Sequence, residues 1–145
     1  MNKIIHLAFG ENNKIEISNI SNTNIDLSES ERKSQGDLEY KLFFQSDGFQ
    51  VLLNVRDLLS GIKIFKSDLE KMYNQLSGEA VWYNSDVAGF GLENNFYFQF
   101  QMENTGTINL VFEVNSKNTE LKHLGEIDQS YLPDWINELE KLIQG

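Results

Sequence analysis

Two histidines, His6 and His123, are the only imidazoles that the sequence offers for acid–base or nucleophilic chemistry. A hydroxyl nucleophile needs a base within hydrogen-bond reach, and a metal centre needs several ligands at a defined spacing. No serine lies in a nucleophile elbow, and neither histidine has a second ligand at a spacing such as HExxH. The sequence contains no cysteine, which excludes thiolate catalysis and cysteine-based metal centres. We therefore expect structural roles for both histidines, and we predict no catalytic residue, no metal and no cofactor.

Paired carboxylates are the remaining source of acid and base groups. Candidate pairs are Glu11 with Glu16 and Glu126 with Asp128, but a chain with 22 acidic residues produces such pairs by chance. A hydrolase is therefore a minor alternative. It would require two carboxylates that converge in one pocket with a perturbed pKa.

Two further segments have motif-like features. Gly89 and Gly91 lack the third glycine, the lysine and the following helix of a phosphate-binding loop, so we interpret them as part of a turn or bulge. The aromatic run from Asn95 to Phe100 alternates with polar residues and lacks the basic groove that base stacking on nucleic acid requires. We interpret this run as a core strand.

The chain is strongly acidic, with 22 acidic against 12 basic residues and a formal net charge of −10. Such a field repels phosphate backbones and anionic membrane surfaces, so we expect no direct contact with nucleic acid or membrane. The same field accelerates association with a basic protein. A purely solubilising role of the charge is the alternative.

Composition predicts one packed domain over residues 1–145, since hydrophobic residues make up 40% of the chain and aromatic residues 12%. No run approaches the roughly 18 apolar residues of a membrane span. The N-terminal segment is too short and too interrupted for a signal peptide. We therefore expect a cytoplasmic location.

Period-two alternation of apolar residues predicts about seven or eight antiparallel strands. Asp47-Gly48 lies between two alternating stretches, which is typical of a type I′ hairpin, and a second turn is expected at Asn104-Thr105-Gly106. Residues 18–37 are mostly polar and predict a flexible surface loop with at most an edge strand. The residues expected on buried strand faces include Ile5, Leu7, Phe9, Ile15, Ile17, Phe96, Phe98, Phe100, Met102, Ile108, Leu110, Phe112 and Val114.

Two amphipathic helices are predicted over about residues 67–77 and 132–144. Ser67 and Glu70 form a capping box that would begin the first helix, and Gly78 would supply the left-handed residue that ends it. Pro133 would open the second helix, where its missing N–H costs least. The order of strands and helices predicts an α+β fold in which both helices pack on a mainly antiparallel sheet. The expected apolar stripes are Leu69, Met72, Tyr73 and Leu76 in the first helix and Leu132, Ile136, Leu139 and Ile143 in the second.

The segment Asp128-Gln129-Ser130-Tyr131-Leu132 precedes the last helix and resembles the WapI family of bacterial immunity proteins, in which a DQ[ST]YL stretch has this place. Gly10 to Ile17 is similar to the opening strand of that family, and Phe65 to Ala80 resembles its central helix with an LSGEA-like turn. The similarity covers most of the chain except Ser18 to Asp37. The motif residues Asp128, Gln129, Tyr131 and Leu132 also have a purely structural explanation, because they can cap and anchor the helix.

The resemblance implies a non-enzymatic cytoplasmic protein that binds and neutralises the C-terminal domain of a cognate polymorphic toxin, often a nuclease. An acidic protein suits a basic nuclease because it can occupy the surface that otherwise receives the phosphate backbone. Under this hypothesis the polar segment makes the partner contacts, and a solvated loop without contacts is the alternative. The expected contact residues are Asp26, Glu29, Glu31 and Asp37.

A non-enzymatic carrier of a small molecule is the second hypothesis, because an aromatic-rich antiparallel sheet with a helix can enclose an apolar cavity. It requires that the interior is not filled by Phe96, Phe98, Phe100 and Phe112.

Overall fold

The computed structural model of the protein describes residues 3–22, 38–84 and 94–144. Within these ranges the chain forms two antiparallel four-stranded meanders, each followed by a helix. The first meander consists of β1 (Ile5–Ala8), β2 (Lys14–Asn22), β3 (Leu38–Ser46) and β4 (Phe49–Asp57), and it leads into α1 (Leu59–Gln75). The second consists of β5 (Glu79–Tyr83), β6 (Asn95–Met102), β7 (Thr107–Asn115) and β8 (Glu120–Asp128), and it leads through a short 3-10 turn (Gln129–Tyr131) into α2 (Leu132–Gln144).

The predicted α+β class, the strand number and the two helices are confirmed. The expectation of one sheet is wrong for the described residues, because the strands form two sheets with the orders β1-β2-β3-β4 and β5-β6-β7-β8. β4 and β5 belong to different sheets, and α1 connects them in the chain.

Alternation along each strand creates one apolar face per sheet, and the two apolar faces pack against each other. Phe44 of the first sheet stacks on Phe98 of the second with ring centroids 6.1 Å apart. Phe9 meets the edge of Phe112 at 4.8 Å. The strand residues predicted to be buried are confirmed, and Phe96, Phe98, Phe100 and Phe112 are at most 1% exposed.

The β3–β4 hairpin is confirmed at Asp47 and Gly48. Both residues have positive φ angles, 49° and 86°, as a type I′ turn requires. The register runs from Ser46 opposite Phe49 to Leu38 opposite Asp57 without a bulge.

The polar segment begins later than predicted. β2 extends to Asn22 and pairs with β3 across a bulge between Ser18 and Ser21, so residues 18–22 are strand. Residues 23–37 lie outside the described part of the chain.

The predicted start of α1 at Ser67 is wrong, because the helix begins at Leu59. Ile62 and Phe65 extend the buried stripe of Leu69 back by two turns, and this burial outweighs the local capping signal. The Glu70 side chain accepts a hydrogen bond from Lys66 Nζ at 2.6 Å, which is an ordinary pair within a helix.

The end of α1 also differs from the prediction. Leu76 adopts the left-handed conformation at φ 53° and donates its N–H to the Met72 carbonyl, so Leu76 ends the helix two residues before Gly78. Tyr73 is 44% and Leu76 50% exposed, and the buried stripe therefore contains neither.

In α2 the predicted stripe is rotated by one position. The buried residues are Leu132, Trp135, Leu139 and Leu142, whereas Ile136 and Ile143 are partly buried at the margin of the core. Trp135 moves to the centre because its indole packs on Phe100 at 4.8 Å and its Nε1 donates to the Ala8 carbonyl oxygen at 2.7 Å.

The described buried polar residues all join the two sheets. Asp57 accepts hydrogen bonds from the Tyr40 hydroxyl at 2.6 Å and from Trp82 Nε1 at 2.9 Å, so one carboxylate connects β3, β4 and β5. Asn84 donates to the Arg56 carbonyl oxygen at 3.1 Å, and its Oδ1 accepts from the backbone N–H of Phe96. The remaining buried polar residues, Ser46 and His123, contact each other across the other end of the interface between the sheets.

Tyr40 gives a pH-dependent test of this polar connection. Burial raises the pKa of the Tyr40 phenol well above its ordinary value, and the Asp57 carboxylate raises it further. The unfolded chain loses this proton near pH 10, whereas the folded chain keeps it, so the stability contribution is complete below pH 10 and is lost as the pH rises through the folded pKa.

We expect Tyr40→Phe to lower the free energy of unfolding at pH 7 by about 1.5–3 kcal/mol, because it removes a hydrogen bond to a charged group. The difference from the unchanged protein should shrink above pH 10. Urea unfolding at a series of pH values measures both, with exposed Tyr73→Phe as the control. A difference that stays constant up to pH 11 would contradict the assignment.

Candidate functional site

The motif Asp128 to Leu132 forms the junction between β8 and α2. The Asp128 carboxylate accepts hydrogen bonds from the hydroxyl and from the backbone N–H of Ser130, the latter at 2.8 Å, and these bonds hold the pKa of Asp128 below its ordinary value. Tyr131 packs at the margin of the core and Leu132 is fully buried, whereas Gln129 is exposed. The geometry gives Asp128 a capping function and leaves Gln129 open to solvent.

Among the described residues, Ser46 and His123 come closest to a nucleophile and base, with Ser46 Oγ 2.7 Å from His123 Nδ1. A catalytic pair would need an orienting group on Nε2, but this atom faces Gly125, where an added Cβ would lie 2.6 Å away. Asp47 lies 4.0 Å from the same Nδ1 that contacts Ser46. Ser46 is only 4% exposed, so a substrate carbonyl has no access to its hydroxyl. The pair serves packing between β3 and β8.

His6 has a different position from His123. It lies on the exposed side of β1, and its backbone N–H approaches Glu138 Oε1 on α2 at 3.4 Å. The structure therefore does not bring the two histidines into one site.

The proposed carboxylate pairs have separate surroundings. Glu16 is paired with Lys14 at 2.8 Å, and Asp128 is occupied by Ser130, while Glu126 lies on the exposed side of β8. Within residues 3–22, 38–84 and 94–144, no group of three or more histidine and acidic side chains is placed to hold a metal ion. Gly89 and Gly91 lie outside the described residues.

The surface depression between the two helices is lined by ion pairs. A groove of about 330 Å³ separates α1 from α2. Lys66 Nζ lies 2.6 Å from Glu70 of the same helix and 3.1 Å from Glu140 across the groove. The hydrogen bond to Glu70 raises the pKa of Lys66, and the ammonium in turn lowers the pKa of Glu140. These opposite charges stabilise each other in their charged forms, which suits a bridge between helices.

The interior is occupied by aromatic rings, with Phe98 and Phe112 at 4.8 Å and Phe100 and Trp135 at 4.8 Å. The carrier hypothesis required this space to be open. In the described core it is filled, so the enclosed apolar cavity that a small-molecule carrier needs has no place between these rings.

The two sheets also have outer faces on which another macromolecule could lie. The outer face of β5–β8 contains exposed Leu124 and Tyr83 among several carboxylates. The predicted contact residues Asp26, Glu29, Glu31 and Asp37 lie outside the described residues. The sequence analysis did not single out the β5–β8 face, although its apolar residues stand at outward positions of the alternation.

His123 predicts an acid-sensitive stability. Burial lowers the pKa of His123, and the nearby Asp47 opposes this only in part. The His123 imidazole therefore binds a proton more readily in the unfolded chain than in the folded one. The stability that neutral His123 contributes is complete above about pH 6.5 and is lost as the pH falls through the folded pKa. We expect His123→Gln to flatten the decline in unfolding free energy between pH 7 and 5, by at most about 1.4 kcal/mol per pH unit. Thermal or urea unfolding at several pH values measures this decline, with His6→Gln at an exposed position as the control. Equal pH profiles for both variants would contradict the role of His123 in acid sensitivity.

No helix in the described part of the chain is long and apolar enough to cross a membrane. Comparison with curated proteins gives no match. Among solved structures the chain is similar to the crystal structure of WHY1 from Arabidopsis thaliana, with a TM-score of 0.54 and 7% sequence identity over 97% of this chain and 89% of that chain. At this identity the similarity concerns the fold alone.

The sequence model of the immunity protein WapI-like family matches residues 57–145. This range contains α1, the complete second sheet, the Asp128 motif and α2. It covers more than half of the chain and includes the motif on which the resemblance was based. The chain therefore belongs to the immunity protein WapI-like family.

Proposed function

We propose that this protein binds the C-terminal domain of a cognate polymorphic toxin and neutralises it by covering its active surface, without catalysing a reaction. The observation that carries the proposal is the family match over residues 57–145. The protein would act in the cytoplasm of the cell that produces the toxin and of its siblings.

Charge supports a basic toxin as the partner. A formal net charge of −10 favours encounter with a positively charged surface, and a nuclease needs such a surface to bind phosphates. An acidic protein on that surface excludes the substrate by volume and by repulsion. A nuclease is therefore the proposed type of toxin.

The packing of the described residues supports a binding mechanism. The Ser46 hydroxyl is buried against His123, and Asp57 is surrounded by the hydrogen-bond donors of Tyr40 and Trp82. These chemically capable groups are occupied in holding the sheets together. A rigid scaffold of this kind can present a preformed surface, which reduces the entropic cost of binding.

The segment with Asp26, Glu29, Glu31 and Asp37 remains a proposed contact region. Its four carboxylates lie within a short stretch of chain and could meet lysine or arginine side chains on the toxin. The family match begins after this stretch, so the proposal for these four residues rests on their charge.

Titration of the toxin tests the mechanism. The toxin domain encoded immediately upstream would be assayed for its activity while the purified protein is added in increasing amounts. We expect inhibition to be complete at one equivalent, because each protein molecule covers one toxin molecule. Co-expression should also restore growth, and the two chains should co-elute in size-exclusion chromatography.

An unrelated toxin domain of similar charge serves as the control and should stay active. Complete inactivation by a small fraction of an equivalent would indicate an enzyme that modifies the toxin. Absence of binding and of growth rescue would reject the proposed function for this pair.

A further inference from the structure

The outer face of β5–β8 contains an apolar row of three aliphatic side chains, interrupted by Gln99, that crosses the sheet. Cross-strand pairing places Val81 beside Gln99, Gln99 beside Val111, and Val111 beside Leu124. Leu124 is 68% exposed, the highest exposure among the large apolar side chains of the described residues. Four adjacent strands place the two ends of this row about 14 Å apart.

An aromatic pair lies beside this row. Tyr83 is opposite Tyr97, with ring centroids 6.2 Å apart, and Tyr83 is 42% exposed. The solvent side of an antiparallel sheet ordinarily carries polar residues, so the valines, leucine and tyrosines here depart from that pattern. Tyrosine is enriched in protein–protein interfaces, and the buried centre of such an interface is more apolar than its rim.

Carboxylates surround the apolar row. On one side of the apolar row, the next cross-strand row has Glu79 at one end and Glu126 at the other. Glu113 and Glu120 lie on the opposite side of the apolar row. The basic residue among the outward positions of β5–β8, Lys122, lies 3.6 Å from Glu113. A partner on this face would therefore meet an apolar centre with a negatively charged rim.

The outer face of the first sheet has a different charge. Its outward positions include Lys14, Lys41 and Arg56 together with Glu16 and Glu39. Lys14 pairs with Glu16 at 2.8 Å and Arg56 with Glu39 at 2.7 Å. This face also exposes Leu52, at 59%, but its charges are nearly balanced. A basic partner would favour the β5–β8 face.

The helices pack on the inner side of this sheet, and α1 also borders Val81 and Tyr83 in a depression at the edge strand β5. The ring centroids of Phe65 in α1 and Trp82 are 5.5 Å apart, and those of Trp135 in α2 and Phe112 are 6.2 Å apart. Trp82 and Phe112 belong to the buried faces of β5 and β7. The family match contains all four strands of this sheet, whereas residues 26–37 lie outside the matched range.

We propose that the outer face of β5–β8 binds the basic surface of the toxin domain, with Leu124, Val111 and Tyr83 as the apolar anchors and Glu79 and Glu126 as partners for its lysine and arginine side chains. This inference rests on the proposed toxin-neutralising function and specifies where the toxin lies. The carboxylate rim raises the association rate, and the apolar row slows dissociation.

Two leucines of similar exposure allow a matched test. Leu124→Arg places a positive charge in the proposed interface, and Leu52→Arg makes the same change on the other sheet. We expect Leu124→Arg to weaken toxin binding at least about 30-fold, as loss of an interface anchor does, and Leu52→Arg to change it less than about threefold. Isothermal titration with the purified toxin domain measures both, and thermal unfolding shows whether each variant remains folded.

The double variant Glu79→Gln with Glu126→Gln tests the rim and involves no large change in volume. We expect slower association and a weaker dependence of the association rate on salt, with little change in dissociation. This variant also decides the question if Leu124→Arg does not fold.

A third variant neutralises Asp26, Glu29, Glu31 and Asp37 together as the corresponding amides. The proposal for this face would be overturned if Leu124→Arg and the Glu79 and Glu126 double variant bind fully while the third variant loses binding. The interface would then lie in the polar segment. Absence of binding by the unchanged protein would instead reject the toxin-neutralising function itself. The two failures are therefore distinguishable.

Discussion

The fold depends on burying two aromatic sheet faces against each other while satisfying the polar atoms trapped between them. Two indole N–H groups lie in this interface, and each needs an acceptor. Trp82 donates to the Asp57 carboxylate, and Trp135 donates to the Ala8 carbonyl oxygen. An unpaired N–H at either place would cost about 1–3 kcal/mol, a large fraction of the stability of a domain this size. The described buried polar side chains all make hydrogen bonds that join the two sheets. These groups therefore serve the stability of the fold.

This commitment directs function to the surface. In the described part of the chain the inner faces and both helices close the core, which leaves outer faces, edges and loops for a partner. The two outer faces carry different charge, with lysine and arginine balancing glutamate on β1–β4 and carboxylates prevailing on β5–β8. Exposed apolar residues gain free energy when another macromolecule removes them from water, and the surrounding charge selects which macromolecule does so. The proposed toxin-binding function draws on both the family assignment and the distribution of surface charge.

The similarity to the WHY1 structure at 7% identity shows that this arrangement of two meanders and two helices does not require particular residues. Alternation of apolar and polar positions, with a helix after every fourth strand, is enough to bury one face of each sheet. The same architecture can accordingly present unrelated surfaces. Function in such a fold resides in the outward positions, which packing leaves free to vary.

The sequence by itself determined the local elements: the strands, the Asp47-Gly48 hairpin and the junction from Asp128 into the last helix follow from periodicity and turn chemistry over a few residues. The family resemblance was also present in short motifs. Only the tertiary structure decided that the strands form two sheets, that α1 begins at Leu59, and that Trp135 is central in α2. The physical reason is that these features depend on contacts between residues far apart in the chain, such as Phe65 with Trp82 and Trp135 with Ala8. The β5–β8 face required both, since alternation marks its residues as outward but cross-strand register alone brings Val81, Val111 and Leu124 into one row.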